Sequence, residues 1–259
     1  MGLYPAPRLL PAGDGAVSVE LGDEISRDAN ARALTLERLL LDARLPGLTD
    51  TVPTFRALLV HYDPLVLPWA ELYARLVELA GRLADAPPPP GRRVELPCAY
   101  GGPHGPDLQE VARRLDLTPA QVVDLHAGAE HYVYFVGFTP GLPYMAGQPS
   151  RLTIPRLDRP RTKTLAGSVG IGGTQTSIYS VESPGGFWLL GRTPLRLYDP
   201  AASEPILLRA GDRVRFRPID AAEFDAITER VAAGAYDPRI EEEEAPSPSA
   251  RPRGDEGGP

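Results

Sequence analysis

Residues 131–200 read HYVYFVGFTPGLPYMAGQPSRLTIPRLDRPRTKTLAGSVGIGGTQTSIYSVESPGGFWLLGRTPLRLYDP, and no part of that stretch can hold a long helix. Proline removes a backbone donor and glycine favours turns, and the two recur every few residues. Between them lie short β-prone runs at 132–138, 168–171, 177–181, 188–190 and 195–198. Short strands joined by tight turns predict a small curved barrel with its loops crowded on one face. Loops held by a rigid sheet are where binding groups concentrate.

Outward from this stretch the patterning changes. Residues 1–86 read as an α+β unit. Positions 16–21 (AVSVEL) alternate as a half-buried strand does, and 54–61 (TFRALLVH) form a second strand candidate ended by Asp63-Pro64. Residues 25–43 align Ala29, Ala33, Leu36, Leu40 and Ala43 on one helical stripe, and 68–84 do the same with Leu72, Leu76, Leu79 and Leu83. Two such helices on one face of a small antiparallel sheet predict a ferredoxin-like N-terminal domain. Residues 87–93 (PPPPGRR, with Ala86 before them) form a stiff extended spacer, because consecutive prolines prefer polyproline II. The barrel domain then runs over 94–236.

Two short helices precede the barrel stretch. Asp107 can cap the first, with Glu110 three residues on, and Thr118 the second, with Pro119 at its first position and Gln121 three on. This pattern also resembles a DNA-binding helix-turn-helix, but the second helix carries Asp124 and no Arg or Lys to meet phosphates. After the barrel, 205–216 (PILLRAGDRVRF) predicts two more strands and 221–233 a closing helix with Phe224, Ile227 and Val231 buried. The 237–259 tail, rich in Glu, Pro, Ser and Gly, is expected to stay disordered.

The 259-residue chain is 42% hydrophobic, which suits a soluble protein with a full core. Its formal charge of −7 gives no support for a nucleic-acid partner or an anionic membrane. The single cysteine, Cys98, excludes an intramolecular disulfide, fits a reducing compartment and reads as a half-buried structural thiol. MGLYPAPRLLPAG lacks the charged and apolar regions of a secretion signal, and no apolar run is long enough to span a membrane. A cytoplasmic location is expected.

Candidate chemistry gathers in the barrel stretch. Arg151, Arg156, Arg159, Arg161 and Lys163, the chain's one lysine, face a single acid, Asp158. Arginine forks suit carboxylates and a lysine point charge suits phosphate. Arg156, Arg161, Lys163 and, further on, Arg192 are therefore candidate substrate or phosphate ligands, the plain rival being a solvated loop. Residues 167–174 (GSVGIGGT) are glycine-rich without Walker A or GxGxxG spacing, so tight barrel turns compete with a ligand cradle. The glycines of Glu182-Ser183-Pro184-Gly185-Gly186 can present amides to an oxyanion, and Ser183 lacks a nucleophile elbow. Glu182 is a candidate general base, and Gln175 and Tyr179 supply neutral donors suited to an amide. His126 ends a helix, where it completes the dipole or, less simply, joins catalysis. The histidines show no metal-ligand spacing, so no metal site is expected. Tyr132, Tyr134 and Val136 should share one strand face, Val133, Phe135 and Gly137 the other.

The runs VYFVGFTPGLPYMAG (133–147), IPRLDRPRTK (154–163), AGSVGIGGTQTSIYSVESPGG (166–186) and LLGRTPLRLYDP (189–200) resemble the B-type component of bacterial 5-oxoprolinase. That family is also described as kinase-A-inhibitor-like, as allophanate hydrolase subunit 1, and as subdomains C and D of a carboxyltransferase domain. The resemblance extends upstream through VELPCAYGGPHGPDL. It implies a cyclophilin-like fold for the barrel domain. It also implies membership of an ATP-dependent complex, with a homologous C-type subunit and an A-type subunit, that converts the lactam 5-oxo-L-proline to L-glutamate. ATP, with Mg²⁺, would sit in a site shared with a partner. Gln175, Glu182 and His126 are then the catalytic candidates, and Arg156, Arg161, Lys163, Gly185, Gly186 and Arg192 the binding ones. Leu142, Ser180 and Phe187 depart from the family pattern, where a bulkier aromatic, a proline and a tryptophan are usual. The same resemblance leaves two other functions open: inhibition of a sensor histidine kinase, and half of a biotin-dependent carboxyltransferase for urea-like substrates.

Overall fold

A computed structural model describes residues 2–242, which divide into two compact units, one ending at Gly91 and the other spanning Arg92–Glu242. The first unit is built from β1 (Leu3–Pro11), β2 (Ala16–Gly22), α1 (Arg27–Ala43), β3 (Leu48–Pro53), β4 (Ala57–Tyr62) and α2 (Trp69–Gly81). Its sheet is antiparallel in the order β1-β2-β4-β3. Val17, Val19 and Leu21 alternate to one face of β2 and meet Leu36 and Leu40 of α1 and Leu72, Leu76 and Leu79 of α2 in a single apolar cluster. Ser26 starts α1 by accepting a hydrogen bond from Ala29 N–H at 3.1 Å, and Arg44 ends it in the left-handed region.

The unit is α+β, as its patterning predicts, but its connectivity is ββαββα, not the βαββαβ of a ferredoxin-like chain. The difference is β1, whose Pro5, Pro7 and Pro11 obscure it in the sequence. Proline cannot donate to a ladder and is tolerated on an edge, and β1 is the edge strand.

The second unit comprises β5 (Arg92–Tyr100), α3 (Leu108–Arg114), α4 (Pro119–Ala127), β6 (His131–Val136), β7 (Pro143–Ala146), β8 (Arg161–Thr164), β9 (Ser168–Gly172), β10 (Gln175–Ile178), β11 (Ser183–Gly185), β12 (Trp188–Arg192), β13 (Arg213–Ile219), α5 (Ala221–Ala232) and β14 (Arg239–Glu242). Seven strands close a barrel in the order β12-β9-β10-β7-β6-β13-β5, and β5 returns to β12 through Ala99 and Tyr100. β5 and β13 are parallel neighbours, and β8 with β11 makes a separate two-stranded ribbon. Val94, Leu96, Val133, Met145, Val169, Ile178 and Val214 fill the interior, and α3 and α4 bury Val111 and Val122 in a second apolar cluster with Ile171, Trp188 and Leu190.

Several local expectations change. A bulge in β6 opposite β7 breaks the alternation, so Val133 and Val136 both pack on the interior while Tyr132 and Tyr134 form an edge-to-face pair at 4.9 Å. Residues 195–198 are not a strand: only a single bridge joins Tyr198 to Ile206. Thr118 and Gln121 do form the expected capping box, and Val122 and His126 bury α4 in the unit. The composition predicts disorder from 237, yet β14 pairs with β5 from Arg92 to Glu95, where that strand's edge would otherwise lack a partner, and Ile240 packs on the core. The remainder of the expected tail, 243–259, lies outside the described residues.

Candidate functional site

The outer face of β9 is bare where Gly170 and Gly172 alternate, and the Phe187 ring lies on it. A Cβ at Gly172 would come within 2.8 Å of both Phe187 Cδ1 and Arg156 Cγ. The glycine-rich run is therefore mostly buried strand, with left-handed turns at Gly167 (φ 82°) and Gly173 (φ 62°). The Arg156 guanidinium sits 4.6 Å from the Phe187 ring centroid and donates to Gln175 Oε1 at 2.9 Å. Because arginine can only donate, that contact fixes which way the Gln175 amide points. Tyr179 accepts from Phe187 N–H at 3.4 Å and packs with Leu142 and Leu189. Only glycine fits at 185, since a Cβ there would overlap the Tyr179 hydroxyl. Burial holds the Tyr179 pKa above its usual value although Arg156 and Arg161 pull the other way, so its proton stays on at neutral pH. Tyr144 borders the group and stacks on Phe135 at 4.4 Å.

The other candidate cations are already engaged. Arg161 donates to Phe187 O at 3.2 Å and to Asp107 Oδ1, while Asp107 Oδ2 accepts from Leu189 N–H at 2.7 Å. Asp107 thus does not cap α3 with its side chain, as its place in the sequence predicts; it clamps the ribbon to the barrel. Arg192 donates to Ala166 O at 2.8 Å, and Lys163 pairs with Glu182 at 2.8 Å on the exposed side of the ribbon. Gly186 accepts from Leu157 N–H at 2.8 Å.

His126 lies apart, fully buried, its Nδ1 2.8 Å from the Tyr100 hydroxyl and its ring 4.7 Å from those of His131 and Phe216. Burial pushes its pKa well below the usual histidine value, and His131 falls to about 4 for the same reason. A neutral ring sealed in the core has no access to a ligand and adds no charge to the α4 dipole. Cys98 is also fully buried, not half-buried, and burial raises its pKa into the range of an inert thiol.

With this geometry in view, residues 7–208 match the family described as carboxyltransferase domain, subdomain C and D. The chain belongs to that family. It is 37% identical over 227 residues to the B-type component of 5-oxoprolinase from Bacillus subtilis, covering 84% of this chain and 95% of that one. It is 41% identical over 209 residues to the corresponding component from Escherichia coli O157:H7, covering 80% and 93%. The crystallised protein TTHA0988 shares its structure with a TM-score of 0.72 at 40% identity, over 80% of this chain and only 40% of TTHA0988. This member of the carboxyltransferase C/D family therefore spans two fifths of that longer polypeptide. Urea amidolyase of K. lactis, 22% identical with a TM-score of 0.75 over 93% of this chain and 17% of its own, shares the fold.

Nucleotide use by such a family member needs cations and amides free to meet phosphates. Arg161 and Arg192 are held by partners within the unit, Lys163 pairs with Glu182 on the exposed side of the ribbon, and Phe187 covers the glycine run. Among the described residues no three His, Cys, Asp or Glu side chains come together as a metal site. A cavity of about 190 Å³ lined by Leu195, Asp199, Glu204 and Tyr236 includes none of the candidate residues. What the sequence reading missed is Phe187 as the platform and Asp107 as the clamp. The two-residue spacing of Gly170 and Gly172 on a strand was the available signal for the first, since it marks a bare face.

Proposed function

We propose that this chain is the B-type component of an ATP-dependent 5-oxoprolinase, acting in the cytoplasm with a homologous C-type subunit and an A-type subunit. The supporting observation is sequence identity over 95% and 93% of two B-type 5-oxoprolinase chains. A lactam resists water because its nitrogen lone pair is delocalised onto oxygen. Transfer of the ATP γ-phosphoryl group to that oxygen makes the carbon electrophilic; water adds, the ring C–N bond breaks, and glutamate, ADP and phosphate leave. In this reading Arg156, stacked on Phe187, meets the substrate carboxylate. The Gln175 amide nitrogen and the protonated Tyr179 hydroxyl donate to lactam or phosphoryl oxygens. Glu182, Lys163, Gly185, Gly186 and Arg192 frame the site, and the partner supplies the nucleotide cradle with its Mg²⁺. Reconstitution tests this: the chain mixed with its A-type and C-type subunits, ATP and 5-oxoproline should release glutamate and ADP in equal amounts. Well-folded components that form no glutamate would refute it.

A further inference from the structure

Three non-glycine residues have positive φ among the described residues: Arg44 at 46°, Asp116 at 52° and Phe138 at 67°. Arg44 closes α1 and Asp116 follows the end of α3, where left-handed backbone is an ordinary way for a helix to stop. Phe138 ends no helix. It lies in the turn after β6, in a conformation that bulky residues avoid, with a glycine beside it at 137. The side chain gains nothing locally in return, since it is 70% exposed.

The turn is held rigidly. Gly137 N–H donates to Leu142 O at 3.0 Å, Leu142 N–H to Thr139 O at 3.2 Å, and Thr139 Oγ1 lies 3.3 Å from Ser180 Oγ. Gly167 N–H donates to the carbonyl of neighbouring Tyr179 at 2.7 Å, and Ser168 N–H to Leu165 O at 3.2 Å. Phe138 and the exposed Leu165 thus stand on two loops fastened to Tyr179 and Ser180, at the border of the candidate site. The Lys163–Glu182 pair flanks Leu165 along the ribbon. Backbone strain together with a rigid, unpartnered aromatic and a charged rim is the make-up of an interface hot spot.

We infer that Phe138 is the anchor by which this chain holds the C-type subunit that completes its site, an inference that rests on the B-type reading above. In TTHA0988 the region matching this chain is 40% of one continuous polypeptide, so further chain is tied covalently to this fold there, and the C-type subunit is the partner that the B-type reading supplies for this chain.

The test uses the full chain and the C-type subunit encoded by the same genome, with affinity measured by calorimetry and stability by thermal unfolding. Phe138→Gly should weaken binding at least about tenfold. Its melting temperature should stay level or rise, because glycine accepts the left-handed backbone. Phe138→Trp should keep near wild-type affinity. Unchanged affinity in Phe138→Gly overturns the anchor and leaves the B-type reading intact. A fall in its melting temperature makes the ring structural and also overturns the anchor. No binding by the folded wild-type chain removes the B-type reading and the anchor with it.

Discussion

The two units hold themselves together by different means. In the first, the described buried polar residues are Asn30 and Thr35, and each donates to a backbone carbonyl: Asn30 to Thr54 O at 2.7 Å, Thr35 to Ala31 O at 2.7 Å. The rest of that core is aliphatic, apart from Tyr62. The barrel unit buries Arg92, Asp107, His126, His131 and Asp212 along with several hydroxyls. Burying charge and polar groups is costly unless each finds a partner, and most of these do. Where a fold tolerates that cost, its polar groups are fixed in position. The barrel is therefore the unit with preset chemistry, and the first unit rests on hydrophobic burial.

The largest expected effect lies at the ion pair of Arg92 and Asp212. Arg92 donates to both carboxylate oxygens, at 3.0 and 2.7 Å, and Asp212 Oδ2 also accepts from Arg209 N–H at 2.9 Å. Asp212→Ala strands a buried guanidinium and should lower unfolding stability by about 3–5 kcal/mol in denaturant titration. A loss below about 1 kcal/mol would erase the contrast between the units.

A middle-sized effect comes from acid. Unfolded histidines take up a proton near pH 6.5. In the folded barrel, burial keeps His126 neutral well below that and His131 neutral down to about 4. Between those limits the unfolded chain binds more protons, so this stability is whole above pH 6.5 and drains away as pH falls toward 4. At pH 5.5 the loss should be about 1.4 kcal/mol from His131, with a further loss of the same sign from His126. Denaturant midpoints across this range check it, and His131→Gln should flatten the slope.

The smallest effect on stability is expected at Arg156, which stacks and donates at the surface. Arg156→Ala should change stability by no more than about 0.5 kcal/mol while turnover of the reconstituted complex falls steeply. Equal activity would take Arg156 out of the site.

Local signals in the sequence carried what neighbouring residues decide. Thr118 and Gln121 cap α4 as their spacing implies, and both helical stripes of the first unit face its core. What failed was non-local. Arg161 looks like a free cation because its partner Asp107 lies 54 residues upstream. β1, with its prolines, gives no strand signal because its role as an edge is set by β2, and β14 is hidden because its order comes from the ladder with β5. The candidate site was legible as a region, 131–200, but which of its cations are engaged depends on contacts that no periodicity encodes.

β5 is the first strand of its unit to be synthesised, yet its ring neighbours are β12 and β13, which follow about ninety and more than a hundred residues later. The first unit's sheet and helices all draw their partners from within its own ninety-one residues. On the ribosome, then, the aliphatic unit has everything it needs early. The barrel must wait with an open seam until Arg213–Ile219 emerges, and only then can Phe187, Arg156 and Gln175 be brought to a closed wall.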